Sequence, residues 1–126
     1  KNETIIVLDK YNRIMGLASN DIEKIEDDFL FHNRVLKCIE LPNLEKVGMN
    51  FLDYNKDLTE ISFPSLKEVD SRFISYNSNI SKLNLPNLTK TGSCFLESNE
   101  KLEELNLPSL RYTGNDFLRK NRIWQK

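Results

Sequence analysis

Few residues in this chain could do chemistry beyond packing and charge. The two cysteines, Cys38 and Cys94, and the single histidine, His32, lack the number and spacing of a zinc set, and they leave no Ser/His/Asp arrangement with a spare base. The paired acids Asp27-Asp28 and Glu103-Glu104 could move protons only if burial or a like charge shifted their pKa values. Both pairs fall on outward positions of the periodicity described below, so solvated charge is the expected reading. Three Asn-X-Ser/Thr sequons stand at Asn2, Asn79 and Asn87; a chain rich in these residues shows about one or two by chance, and they imply nothing about glycosylation or secretion. No cofactor and no metal are expected, and the chain reads as a non-enzyme.

Charge and hydropathy narrow the partners. Eighteen Lys and Arg stand against 19 Asp and Glu, a net charge of −1, which gives no field to attract nucleic acid or an anionic membrane. The longest aliphatic run, Ile5-Ile6-Val7-Leu8, is far too short to cross a bilayer, so no membrane insertion is expected.

The positioning elements declare themselves through a repeat. Prolines stand at Pro42, Pro64, Pro86 and Pro108, each 22 residues from the last. Phe29, Phe51, Phe73, Phe95 and Phe117 keep the same step, as do Asn33, Asn55, Asn77, Asn99 and Asn121. Gly48, Gly92 and Gly114 share one position, with Asp70 in the remaining copy. The units run 14–35, 36–57, 58–79, 80–101 and 102–123, and the first is degenerate, keeping the second half of the pattern but not the proline. Residues 1–13 form an N-terminal cap, as a hairpin, or a degraded repeat, and 14–126 form the array. Trp124 occupies the first strand position of a further, truncated unit.

Each position has a physical reading. The opening LxxLxL ends in apolar–polar alternation, as in Ile39-Glu40-Leu41, which suits a short half-buried strand. Strands near 38–41, 60–63, 82–85 and 104–107 should stack into one parallel sheet. Proline after the strand stops ladder pairing and starts a turn. The recurring glycine is expected at positive φ. Phe-Leu should pack the return arm as a single 3₁₀ turn, because about nine residues leave no room for a longer helix. The asparagine ladder, three residues before each strand, should be buried and bonded to the backbone of the bend. About seven inward residues cannot stabilise one coil alone against ordering costs of roughly 1–2 kcal/mol per residue, so the coils must share a core. In this register Cys38 lies on a strand and Cys94 on a return arm two coils later, beyond disulfide reach.

The pattern LxxLxLPxLxxxGxxFLxxNxx resembles the BspA-like class of leucine-rich repeats over roughly 14–123. The class usually has a unit one residue longer, alanine before the phenylalanine and cysteine at the ladder position; here asparagine holds the ladder. The resemblance implies an α/β-type leucine-rich repeat solenoid with short parallel strands on the concave face, turns and 3₁₀ segments on the return arm, and little true helix. It also implies a protein-binding module, by analogy at a cell surface or outside the cell, as in an adhesin. A structural spacer or capping segment within a longer array is the alternative. End-to-end self-association of arrays is a further contact left open.

Scaffold positions recur, so a site belongs where coils differ. Outward strand positions carry Lys37 and Glu40, then Glu60 and Ser62, then Lys82 and Asn84, then Glu104 and Asn106. They form either a polar binding face or a plain solvated one, for they include no aromatic anchor of the kind that dominates interfaces. A rival ridge precedes the asparagine ladder: His32, Tyr54 and Tyr76, followed by Ser98 and Lys120. Its tyrosines either present an aromatic strip or stack to brace neighbouring coils.

Overall fold

The computed structural model describes residues 3–31 and 33–121. Nine strands follow in order: β1 (Thr4–Leu8), β2 (Ile14–Ser19), β3 (Lys24–Ile25), β4 (Cys38–Glu40), β5 (Lys46–Val47), β6 (Glu60–Ser62), β7 (Glu68–Val69), β8 (Lys82–Asn84) and β9 (Glu104–Asn106). Strands β2, β4, β6, β8 and β9 carry the same repeat position, so four complete turns of a β-solenoid separate the first from the last. Where they are bonded, the pairing is parallel and in register at the 22-residue step: Leu17 opposes Ile39, Ile39 opposes Ile61, and Leu83 opposes Leu105. The expected single sheet is interrupted, because β6 and β8 share no ladder.

The α/β and 3₁₀ parts of the expectation are wrong. No helix of either kind occurs among the described residues. A helix needs consecutive right-handed residues, and here every second residue of the return arm is left-handed. In the coil built on Phe73 these are Arg72, Ile74 and Tyr76, at φ of 60°, 52° and 59°, and the same three sites recur as Asn50, Leu52 and Tyr54 and as Cys94, Leu96 and Ser98. Left-handed geometry costs a non-glycine residue roughly 1–2 kcal/mol, and β-branched Ile74 is the least suited. Burial of Leu52, Ile74 and Leu96 offsets the cost. So do bonds that this geometry turns alternately to either neighbour: Arg72 and Tyr76 donate N–H to Ser93 and Glu97 of the next coil, both at 2.8 Å, while Ile74 donates to Phe51 of the previous one at 2.8 Å.

The glycine expectation also fails, since no described glycine has positive φ. Glycine is required by close approach instead. A Cβ on Gly92 would stand 2.6 Å from the Ser71 nitrogen, and one on Gly114 would stand 2.5 Å from the Gly92 carbonyl carbon. Beside these glycines runs a second short parallel sheet that the repeat pattern did not reveal, β3-β5-β7, continued by single bridges from Glu68 to Lys90 and from Lys90 to Tyr112.

Between the sheets and the return arm lies one core, with 23 buried apolar residues from Leu17 to Leu118 among the described residues. Its axis is the phenylalanine column, with ring centroids 6.1, 5.7, 5.6 and 5.5 Å apart from Phe29 to Phe117. The asparagine ladder is buried from Asn55 to Asn121, with Asn55, Asn77 and Asn99 wholly inaccessible, while Asn33 at its N-terminal end is half-buried. The Asn77 and Asn99 side-chain carbonyls accept an N–H from the preceding coil, Asn77 from Asn55 at 2.8 Å and Asn99 from Asn77 at 3.2 Å, while that of Asn55 accepts the Leu36 N–H at 3.1 Å. A second polar ladder follows the prolines. Ser65, Asn87 and Ser109 donate to the carbonyls of Pro42, Pro64 and Pro86 one coil back, at 2.7, 2.8 and 2.7 Å.

At the N-terminal end, β1 folds back antiparallel on β2, from Thr4 opposite Ser19 to Leu8 opposite Ile14. The connecting turn is tied by Asp9, whose carboxylate accepts the N–H groups of Arg13 and Tyr11 and pairs with the Arg13 guanidinium at 2.8 Å. The Arg13 amide bond is the main cause holding this carboxyl below its ordinary pKa.

Candidate functional site

The strand register sorts every outward side chain into two rows. One runs Val7, Gly16, Cys38, Glu60 and, at the same repeat position, Lys82 and Glu104. The other runs Ile5, Ala18, Glu40, Ser62 and then Asn84 and Asn106. Between them lies the inward row Leu17, Ile39, Ile61, Leu83 and Leu105. Of the candidates expected on this face, Glu40, Glu60, Ser62, Lys82, Asn84, Glu104 and Asn106 all point outward and are exposed. Lys37, also exposed, sits one residue before β4 and joins neither row.

Charge along the first row is partly consumed by the protein itself. Lys82 lies 3.8 Å from Glu104, with side chains 73% and 59% exposed, so the pair adds little stability. Glu40 and Glu60 make no ion pair among the described residues. A concavity of about 500 Å³ opens on this face, and Glu40, Glu60, Ser62 and Lys82 of the expected residues line it. Its lining reaches back over Gly16 and Ala18 to Ile5 and Val7 on β1. Those two aliphatic side chains are 55% and 47% exposed, and they were absent from the expected site. The signal for them was an unbroken aliphatic run in β1, and which of its residues face the site follows only from the hairpin register.

The rival ridge lies on the return arm. Tyr54 and Tyr76 stack with centroids 4.7 Å apart and planes within 3°, and the Arg34 guanidinium covers Tyr54 at 4.9 Å. Tyr54 remains exposed while Tyr76 is half-buried. His32, the ridge's remaining member, lies outside the described residues, as does Trp124. Beside the ridge, Asp53 is buried, with one carboxylate oxygen unpartnered. Burial pushes its carboxyl above the ordinary range against the opposing pull of Arg34 and Arg72.

The acids considered for proton transfer are exposed, and three of the four have structural partners. Asp27 accepts the Met49 N–H at 2.8 Å, Asp28 accepts from the Asn50 side chain at 2.7 Å, and Glu104 faces Lys82. Both cysteines are free: Cys38 is exposed beside Gly16, and burial raises the thiol pKa of Cys94 on the return arm. Among the described residues no group of His, Cys, Asp and Glu is placed to hold a metal, and no helix is long and apolar enough to cross a membrane.

Strands at a fixed 22-residue step, a turn after each and a polar ladder at each bend are repeat-family traits, and residues 17–123 match the model of the BspA type leucine-rich repeat region in six copies. The chain belongs to that family. No curated protein and no solved structure matches it. BspA-type repeats, like leucine-rich repeats generally, are typically non-catalytic and mediate protein interactions, which agrees with an outward face assembled from variable residues on a recurring frame. In this member asparagine holds the ladder position and ties Asn55 to Asn77 and Asn77 to Asn99 across neighbouring coils.

Proposed function

We propose that the chain is a protein-binding leucine-rich repeat module whose partner lies across the outward strand face, touching Lys37, Glu40, Glu60, Ser62, Lys82, Asn84, Glu104 and Asn106. One observation carries this reading. The recurring Phe, Asn, Pro and Gly positions are occupied by packing and coil-to-coil bonds, whereas the outward rows vary along most of the array and their one ion pair between coils, Lys82 with Glu104, is exposed and adds little. Charges set along such a line fix register and orientation with a partner more than they add affinity. A place at a cell surface, as in an adhesin, belongs to the same proposal and rests on the family alone.

Reversing the line, as Glu60→Lys, Lys82→Glu and Glu104→Lys together, should weaken capture of the native partner by about tenfold or more. The melting temperature should move by only a degree or two, because exposed pairs contribute little. Undiminished capture by the triple variant would put the partner elsewhere. The exposed Arg34–Tyr54–Tyr76 stack favours a second reading, a ridge site, in which Tyr54→Ser with Tyr76→Ser abolishes capture while the fold survives.

A further inference from the structure

The outward face is not uniform along the solenoid axis. Its C-terminal half is polar, with exposed asparagines at Asn84 and Asn106, and Lys82, at the edge of the concavity, is already engaged by Glu104. Its N-terminal half is a concavity with two chemically distinct sides. Ile5 and Val7 form an aliphatic wall on β1, each about half exposed. Opposite them on β2, half-buried Ala18 supplies only a methyl group, so the floor beside Ile5 is low, while Gly16 is covered by Val7 and the Cys38 thiol. Where β4 and β6 follow, Glu40 and Glu60 rise on the far side without an ion-pair partner among the described residues. Cys38, exposed, stands in the floor next to Gly16.

We infer that this N-terminal half is the specificity-determining subsite, and that it takes a partner segment carrying one bulky apolar side chain next to a lysine or arginine. The inference rests on the strand-face reading above and goes further by assigning the partner's chemistry. The apolar side chain fills the low floor over Ala18 against Ile5 and Val7, removing exposed aliphatic area from water. A neighbouring cation reaches Glu40 and Glu60, and its methylene stem covers apolar wall on the way. An acidic segment meets two unpaired carboxylates and is rejected, which is how charge supplies selectivity in a shallow site. The hairpin strand β1 is therefore part of the recognition surface as well as the end of the sheet.

The test is selection from a display library of short random peptides on the immobilised protein, followed by titration of the enriched peptides against variants. Enriched peptides should share an aliphatic or aromatic residue within a few positions of Lys or Arg. Their binding should fall by about tenfold or more on the isosteric pair Glu40→Gln with Glu60→Gln. It should fall likewise on Val7→Asn, whose melting curve confirms the fold. Peptides that lose binding on Val7→Asn but carry acidic residues, or ignore the Glu-to-Gln pair, would overturn the assigned chemistry and leave the strand face as the site. Peptides lost only on Tyr54→Ser with Tyr76→Ser would overturn both readings. Failure to enrich any peptide also counts against the subsite.

Discussion

Replacing Phe73 with alanine is expected to cost roughly 3–5 kcal/mol and to lower the melting temperature by about 10 °C or more. Phe73 is 1% exposed and sits in the middle of the aromatic column, stacked on Phe51 at 5.7 Å and Phe95 at 5.6 Å and edge-on to Phe63 at 6.5 Å. Truncation removes its transfer free energy, opens a cavity shared by three coils, and deletes two stacking contacts of roughly 0.5–1.5 kcal/mol each. The cavity has little means of collapse, because coil spacing is fixed by backbone bonds on both sides, Ile74 to Phe51 and Leu96 to Phe73. Tyr112→Ala is the control: it removes a ring of similar size that is 64% exposed, and it should cost under about 1 kcal/mol. Urea midpoints for the two variants check the difference. Equal midpoints would mean that the column is not the core axis.

Asn77→Ala is expected to be among the most damaging polar substitutions, at roughly 2–4 kcal/mol. Asn77 is wholly buried, and its side chain makes three bonds. Its carbonyl accepts the Asn55 N–H at 2.8 Å, and its amide donates to the Leu52 and Ser75 carbonyls, both at 2.9 Å. Alanine leaves these backbone groups without their partner in a dry interior, and each stranded group costs about 1–3 kcal/mol, with incomplete additivity. Asn84→Ala makes the opposite case. Asn84 is exposed on β8, no side-chain bond ties it to another coil, and the change should cost under about 0.5 kcal/mol. Chemical denaturation of both variants measures the gap directly. Similar midpoints would contradict a buried ladder.

Most of the scaffold was legible because its residues repeat for reasons that composition exposes. A buried amide, a stacked ring and a turn-starting proline each need one residue type, so three types at one step located the bends, the core axis and the strand ends. The return arm was not legible in the same way. Left-handed geometry at Leu52, Ile74 and Tyr76 runs against the intrinsic preference of those residues and is imposed by the bonds between coils. Only Asp28, Asn50 and Asp116, which tolerate that region, hinted at it. Recurring glycine was ambiguous for a similar reason, since a demand for positive φ and a demand for close approach select the same residue. The second sheet contributes only two residues per coil, too few for alternation to register. The outward rows of the candidate site followed from strand parity. The apolar end of the site depended on which face of β1 pairs above Gly16 and Ala18, a fact that only the hairpin register supplies.

The central claim is that the recurring residues lock neighbouring coils into one cooperative array and so leave the outward strand face free for a partner. Residue-resolved amide hydrogen exchange tests it most directly. The N–H groups of Asn55 and Asn77, bonded to asparagine side chains of the next coil, and that of Ile74, bonded to Phe51, lie in the middle of the array. All three should exchange only through global unfolding, with one shared opening free energy equal to that from urea denaturation. Separate and lower opening energies, graded coil by coil, would contradict the account.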